Sequence, residues 1–139
     1  MSHIATIKTA LKDIAAIKAA GAEFGMVFNE NKTVCHYYSN QTVPSTHTFT
    51  VNGTKMEVGL VLQPDGTYTV VADDMLLYEG NQPYNRTRFG CATNPLANSM
   101  GGFMQRYAVC KTEIEARKKG WMCKRVAQGA KMQVHVTGM

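Results

Sequence analysis

The sequence predicts a single α+β domain, an antiparallel sheet of five to seven strands with two helices packed on one face. Three observations predict it. Strand-period segments separated by turn signals fill residues 42–72, with Asn52-Gly53 and Pro64-Asp65-Gly66 as the sharpest turns. Two segments, around 13–20 and 103–119, carry helix-period apolar residues instead. The chain has 139 residues, 45% of them apolar and 18% charged, and at this length roughly two-thirds of the extended surface is hidden on folding. A packed core therefore needs neither disulfide nor metal.

The elements follow in order. Ile4, Ile7, Leu11, Ile14 and Ile17 recur at steps of three and four, which alone suits one amphipathic helix, but the threonines in Ile4 to Leu11 favour reading that stretch as a strand. Asp13 is a suitable N-cap for a short helix ending at Ala20, with Gly21 as its C′ residue. Met26-Val27-Phe28 and Thr33 to Tyr38 read as strands, and Gln41 to Ser45 as a loop around Pro44. His47–Val51 and Thr54–Leu62 form a hairpin about a type I′ Asn-Gly turn, so Val51 faces Thr54 and Phe49 faces Met56. That pairing gives Phe49, Val51, Met56, Val58 and Leu60 one apolar face. A third strand, Thr67 to Ala72, completes a meander. Residues 79–102 hold Gly, Pro and Asn too often for any period and read as a long irregular loop. The second helix buries Phe103, Tyr107, Cys110 and Ile114, carries the i,i+4 pairs Lys111–Glu115 and Glu115–Lys119, and stops at Gly120. Trp121–Val126 and Lys131–Val136 close the chain as two strands, with Met132, Val134 and Val136 alternating against Gln133 and His135.

Charge is the most uneven property of the sequence. The net charge is +5, yet residues 1–100 sum to −1 and residues 101–139 to +6. A localised positive field of this kind suits phosphates or an acidic partner. The four cysteines, Cys35, Cys91, Cys110 and Cys123, form no C-x-x-C pair and read as small buried residues of a reducing compartment. With the histidines equally scattered, no metal and no cofactor is expected. No apolar run reaches the ~18 residues of a membrane helix, and no signal-peptide pattern opens the sequence, so a cytoplasmic protein is expected.

Several segments resemble the hypothetical chloroplast frame thirty-five family, found in cyanobacteria, plastids and some phages. These are Met1-Ser2-His3-Ile4-Ala5-Thr6-Ile7-Lys8-Thr9, Val58-Gly59-Leu60, Asp65-Gly66-Thr67-Tyr68 with Val71-Ala72-Asp73, and Gln105-Arg106-Tyr107-Ala108. They run in the family's order through most of the chain. The sequence departs from the family at Asp74-Met75-Leu76-Leu77, where aromatic residues are usual, and in the extended segment after Glu79. The resemblance implies an accessory or binding protein, associated with AAA-type ATPase systems or with a phage particle or infected cell, and assigns no site.

The candidate site residues are cations with aromatic neighbours. Arg117, Lys118 and Lys119, then Trp121, Lys124 and Arg125, form a basic stretch suited to phosphate contact, with Trp121 available to stack on a base. The plain alternative is that cations in a helix's last turn complement its dipole and that tryptophan seeds a core. Arg86 and Arg88, flanked by Tyr84 and Phe89, suit an anion-binding arm or a solvated loop, and Arg106 reads as exposed on the second helix. Asp73-Asp74 reads as a turn or cap. His3 would need a partner to act as a base, and no catalytic motif is present. The reading is a non-catalytic binding protein whose basic C-terminal third meets an acidic partner, whether nucleic acid, nucleotide or protein. The alternatives are a structural component of a larger assembly or homo-oligomer, or a small-ligand sponge or minor enzyme.

Overall fold

A computed structural model describes residues 4–36, 41–77, 84–91, 93–128 and 131–138, with backbone alone at 75, 127, 128 and 131. Its centre is a five-stranded antiparallel sheet in the order β1-β7-β6-β5-β2. These strands are β1 (Ile4–Lys8), β2 (Val27–Asn29), β5 (His47–Thr50), β6 (Glu57–Leu62) and β7 (Tyr68–Asp73). Two further pairs stand apart: β3 (Val34–His36) with β4 (Thr42–Pro44), and β8 (Met122–Gln128) with β9 (Lys131–Thr137). The helices are α1 (Ile14–Glu23), the short α2 (Asp74–Leu77) and α3 (Asn85–Phe89), and the long α4 (Ala97–Lys118).

The expected meander is present, but its first turn is longer. Phe49 pairs with Val58 and Thr50 with Glu57, which leaves Asn52 to Lys55 as a four-residue loop. The register therefore differs by two residues from a two-residue hairpin. A shift of two keeps every side chain on its face, and Phe49, Val51, Val58 and Leu60 are all buried together. Thr54 explains the longer loop: its hydroxyl bonds to Val51 O and Met56 O and accepts from Met56 N.

α1 and α4 cover that apolar face. Asp13 caps α1 by accepting from Ala15 N and Ala16 N. The Tyr107 hydroxyl of α4 accepts from the Lys12 and Asp13 amides at 3.1 and 3.0 Å, tying the two helices at this end. Gly21 does not stop α1, which continues to Glu23; Gly25 at φ 73° is the residue past the end. Gly21 serves close packing instead. A Cβ there would lie 2.2 Å from Phe49 Cε1, and the Phe49 ring is held by Phe28 and Phe103 at centroid distances of 5.2 and 5.8 Å. Glycine to alanine in an ordinary helix stabilises by about 1 kcal/mol. Gly21→Ala is expected to do the reverse, with a net loss of about 1–2 kcal/mol in urea unfolding.

Two other expectations are corrected. Gln41 to Ser45 is not simply a loop, because Thr42–Pro44 pairs with β3. Residues 79–102 are not irregular throughout: α3 lies within them, docked by Asn52 Nδ2 on Thr87 O at 2.8 Å, and α4 begins at Ala97 with a kink at Asn98–Met100, where φ is positive. His3 and residues 78–83 lie outside the described residues. Of the expected α4 stripe Phe103, Tyr107 and Cys110 are buried and Ile114 is half-buried, but neither Lys111 nor Lys119 forms an ion pair with Glu115 among the described residues.

Candidate functional site

The C-terminal basic stretch begins where α4 ends. Gly120 at φ 73° reverses the chain, and the Trp121 amide returns to Ala116 O at 2.9 Å. The ribbon β8–β9 thus folds back against α4. An isolated two-stranded ribbon is marginal on its own, so its attachment to the body matters.

Arg125 provides that attachment. Its Nη1 and Nη2 donate to both Glu23 oxygens at 2.7 and 2.8 Å, and its Nε and Nη2 donate to Glu113 at 2.9 and 2.7 Å. Arg106 joins through a 2.6 Å bond to Glu23. The Arg125 guanidinium holds the Glu23 carboxyl down at about 2, despite partial burial. Cys110 also touches Glu23, and burial followed by that carboxylate pushes its thiol up to about 12. Arg125 and Arg106 are therefore half-buried cations, each matched by a carboxylate, unlike the other cations of this region.

The remaining cations are different. Arg117, Lys118, Lys119 and Lys124 are exposed, and none has a carboxylate partner among the described residues. Arg117 Nε bonds only to the Glu113 backbone carbonyl at 3.3 Å, and Lys119 sits 4.6 Å above the Trp121 ring. From residue 117 onward the sequence holds six Lys and Arg and no Asp or Glu. Trp121 is 37% exposed, with Lys119 over its ring, and a Cβ on Gly138 would lie 3.3 Å from its Cε2 and Nε1. The ring separates shallow clefts of about 340 and 200 Å³, at or below the small end of ligand sites. Arg86 and Arg88 belong to a different contact, on α3 against the β5–β6 loop, where Arg88 stacks 4.2 Å from the Tyr84 ring.

A second constellation was not anticipated. On the sheet face opposite the helices, the buried Glu57 carboxylate is ringed by donors. Lys32 Nζ reaches Oε2 at 2.7 Å and Thr48 Oγ1 at 2.9 Å, while His36 approaches Oε1 through its amide at 2.9 Å and Nδ1 at 2.8 Å. Burial pushes this carboxyl up, but the Lys32, His36 and Thr48 donors outweigh it and hold it below the ordinary range. β3 can lie this close because Gly59 has no side chain; a Cβ there would be 3.1 Å from Cys35 Sγ. Cys35 is completely buried, and burial followed by the Glu57 charge pushes its thiol up to about 12. The arrangement clamps β3–β4 to the sheet and keeps the thiol protonated. His47 is likewise internal, its Nδ1 accepting from Asn31 N at 2.8 Å and burial pushing its pKa down.

The sequence signal for Glu57 was thin. Strand alternation put it opposite Val58, a position that ordinarily faces solvent, and only the small and hydroxyl neighbours Thr48, Thr50 and Gly59 hint that something covers it. No protein-family model, no curated protein and no solved structure matches this chain.

Proposed function

We propose that this chain is a non-catalytic nucleic-acid-binding protein whose contact surface is the C-terminal arm, residues 117–138. The observation that carries the reading is the sorting of charge. Arg125, which packs inward, is matched by two carboxylates, whereas Arg117, Lys118, Lys119 and Lys124 are exposed with no carboxylate partner among the described residues. These four exposed cations fall within one eight-residue stretch of the sequence, and a polyphosphate relieves the repulsion among them. Two further features favour binding over catalysis: the Cys35 and Cys110 thiols stay protonated, and the His47 ring is engaged internally. The resemblance to a family of accessory proteins points the same way.

Four phosphate contacts release counterions with a slope of log K against log salt of about −3.6. Fluorescence anisotropy with a labelled 20-base-pair duplex is expected to give micromolar affinity at low salt and a slope of about −3 to −4. Lys118→Glu with Lys124→Glu is expected to reduce that slope by about 2. Binding that ignores salt, or no binding at 50 mM salt, removes the reading.

A second reading, a component of an assembly, is favoured by Val27, 60% exposed on the edge strand β2. It expects a sizing-column mass well above 15.3 kDa, and a monomer contradicts it.

A further inference from the structure

We infer that the open face of the β8–β9 ribbon enters the major groove of a double-stranded nucleic acid and contacts base edges there, an inference that rests on the nucleic-acid reading above. The register divides the ribbon cleanly. Cys123 pairs with Val136 and Arg125 with Val134, and this face turns to α4 and α1. Lys124 pairs with His135, Val126 with Gln133 and Met122 with Thr137. This second face is open: Met122 is 73% exposed, and Lys124, Gln133, His135 and Thr137 are all exposed.

The dimensions suit a groove. Strands lie about 4.8 Å apart and rise about 3.3 Å per residue, so two strands of seven residues form a ribbon roughly 23 Å long. The B-form major groove, about 12 Å wide, admits a two-stranded ribbon. The chemistry suits base edges. Lysine donates to guanine O6 and N7, glutamine bonds adenine N6 and N7, and threonine and apolar methyls meet the thymine methyl. His135 Nε2 lies 3.4 Å from Gln133 Oε1, so the two polar groups form one unit on the open face. Arg117 and Lys118, at the base of the ribbon, are left to reach flanking phosphates.

One observation favours a duplex over a single strand. Sequence-tolerant single-strand sites rely on several aromatic platforms, and from residue 117 onward Trp121 is the sole Phe, Tyr or Trp, with Lys119 4.6 Å over its ring. Glu23 and Glu113 are held beneath the ribbon by Arg125 and Glu115 lines a cleft on the α4 side with Lys119, Trp121 and Val136, so no carboxylate among the described residues lies on the open face to repel a phosphate.

The test is selection from a random 20-base-pair duplex library at 100 mM salt, followed by anisotropy on the enriched and a scrambled duplex. The expected result is a preference of about tenfold or more for the enriched duplex. Gln133→Ala with His135→Ala is expected to abolish that preference, whereas Arg86→Ala with Arg88→Ala, on α3 and outside the arm, is expected to keep it. Three outcomes overturn the inference while leaving the nucleic-acid reading intact: no enrichment, a preference untouched by the Gln133 and His135 double variant, or a single strand bound as tightly as the enriched duplex. Absence of binding to any of these probes overturns both.

Discussion

Replacing Glu57 with alanine is expected to destabilise the fold by about 2–4 kcal/mol. The substitution leaves the Thr48 hydroxyl, the His36 amide and the Lys32 ammonium without the carboxylate that satisfies them. Removing one partner of a buried ion pair costs about 3–5 kcal/mol. The lower bound here reflects Lys32, which is 37% exposed and can turn to water. Glu57→Gln keeps the shape and one acceptor oxygen, so about half the loss is expected. Urea unfolding measures both. The sign with pH follows from the lowered carboxyl: its contribution is fully present above the ordinary carboxyl value near 4.5 and disappears as pH falls through the lower folded value. The alanine variant is therefore expected to lose less stability than the parent between pH 5 and 3. Loosening of β3 has its own readout, because Cys35 is wholly buried in the parent and is expected to react faster with a thiol reagent in the variant.

Arg125→Ala is expected to cost about 2–3 kcal/mol and to release the C-terminal ribbon. The guanidinium is the shared donor to Glu23 and Glu113, and charge-assisted bonds of this kind contribute roughly 1.5–3 kcal/mol each before solvent screening. Without it two carboxylates face each other across α1 and α4, with Arg106 left to hold Glu23 alone. Hydrogen exchange is expected to show β8 and β9 losing protection while β5–β7 keep theirs. Arg125→Lys restores a charge but not the planar fork, so it is expected to recover less than half of the loss. Glu23, held at about 2, supplies stability that is complete above pH 4.5 and is lost as pH falls toward 2. That acid sensitivity is expected to shrink in Arg125→Ala. Duplex affinity should fall as well, since a mobile ribbon must be ordered on binding.

The local signals in the sequence account for most of the fold. Alternation over 47–72 and the Pro64-Asp65-Gly66 turn carried the meander; Asp13 and the Phe103–Tyr107–Cys110 stripe carried the helices. What the sequence hid was tertiary. Gly21 looks like a helix stop, and only the Phe49 ring beneath it shows that its missing side chain is a packing requirement. Thr42–Pro44 looks like a loop because proline is unusual in strands, yet an edge strand tolerates it. The basic stretch was legible as charge, but not as geometry. Arg125 and Lys124 are adjacent in sequence and point to opposite faces of β8, so one became the anchor and the other the exposed cation. Nothing local to the sequence links Arg125 to Glu23, which lies 102 residues away.

The most direct measurement is a map of backbone amide perturbation when a 20-base-pair duplex is added at 50 mM salt. Shifts and protection are expected at the end of α4 and on the ribbon, centred on Arg117–Lys119, Lys124 and Gln133–His135, with β3–β4 and the sheet unchanged. Perturbation concentrated on α3 around Arg86 and Arg88, or an unchanged ribbon in a protein that binds the duplex, contradicts the assignment of this surface.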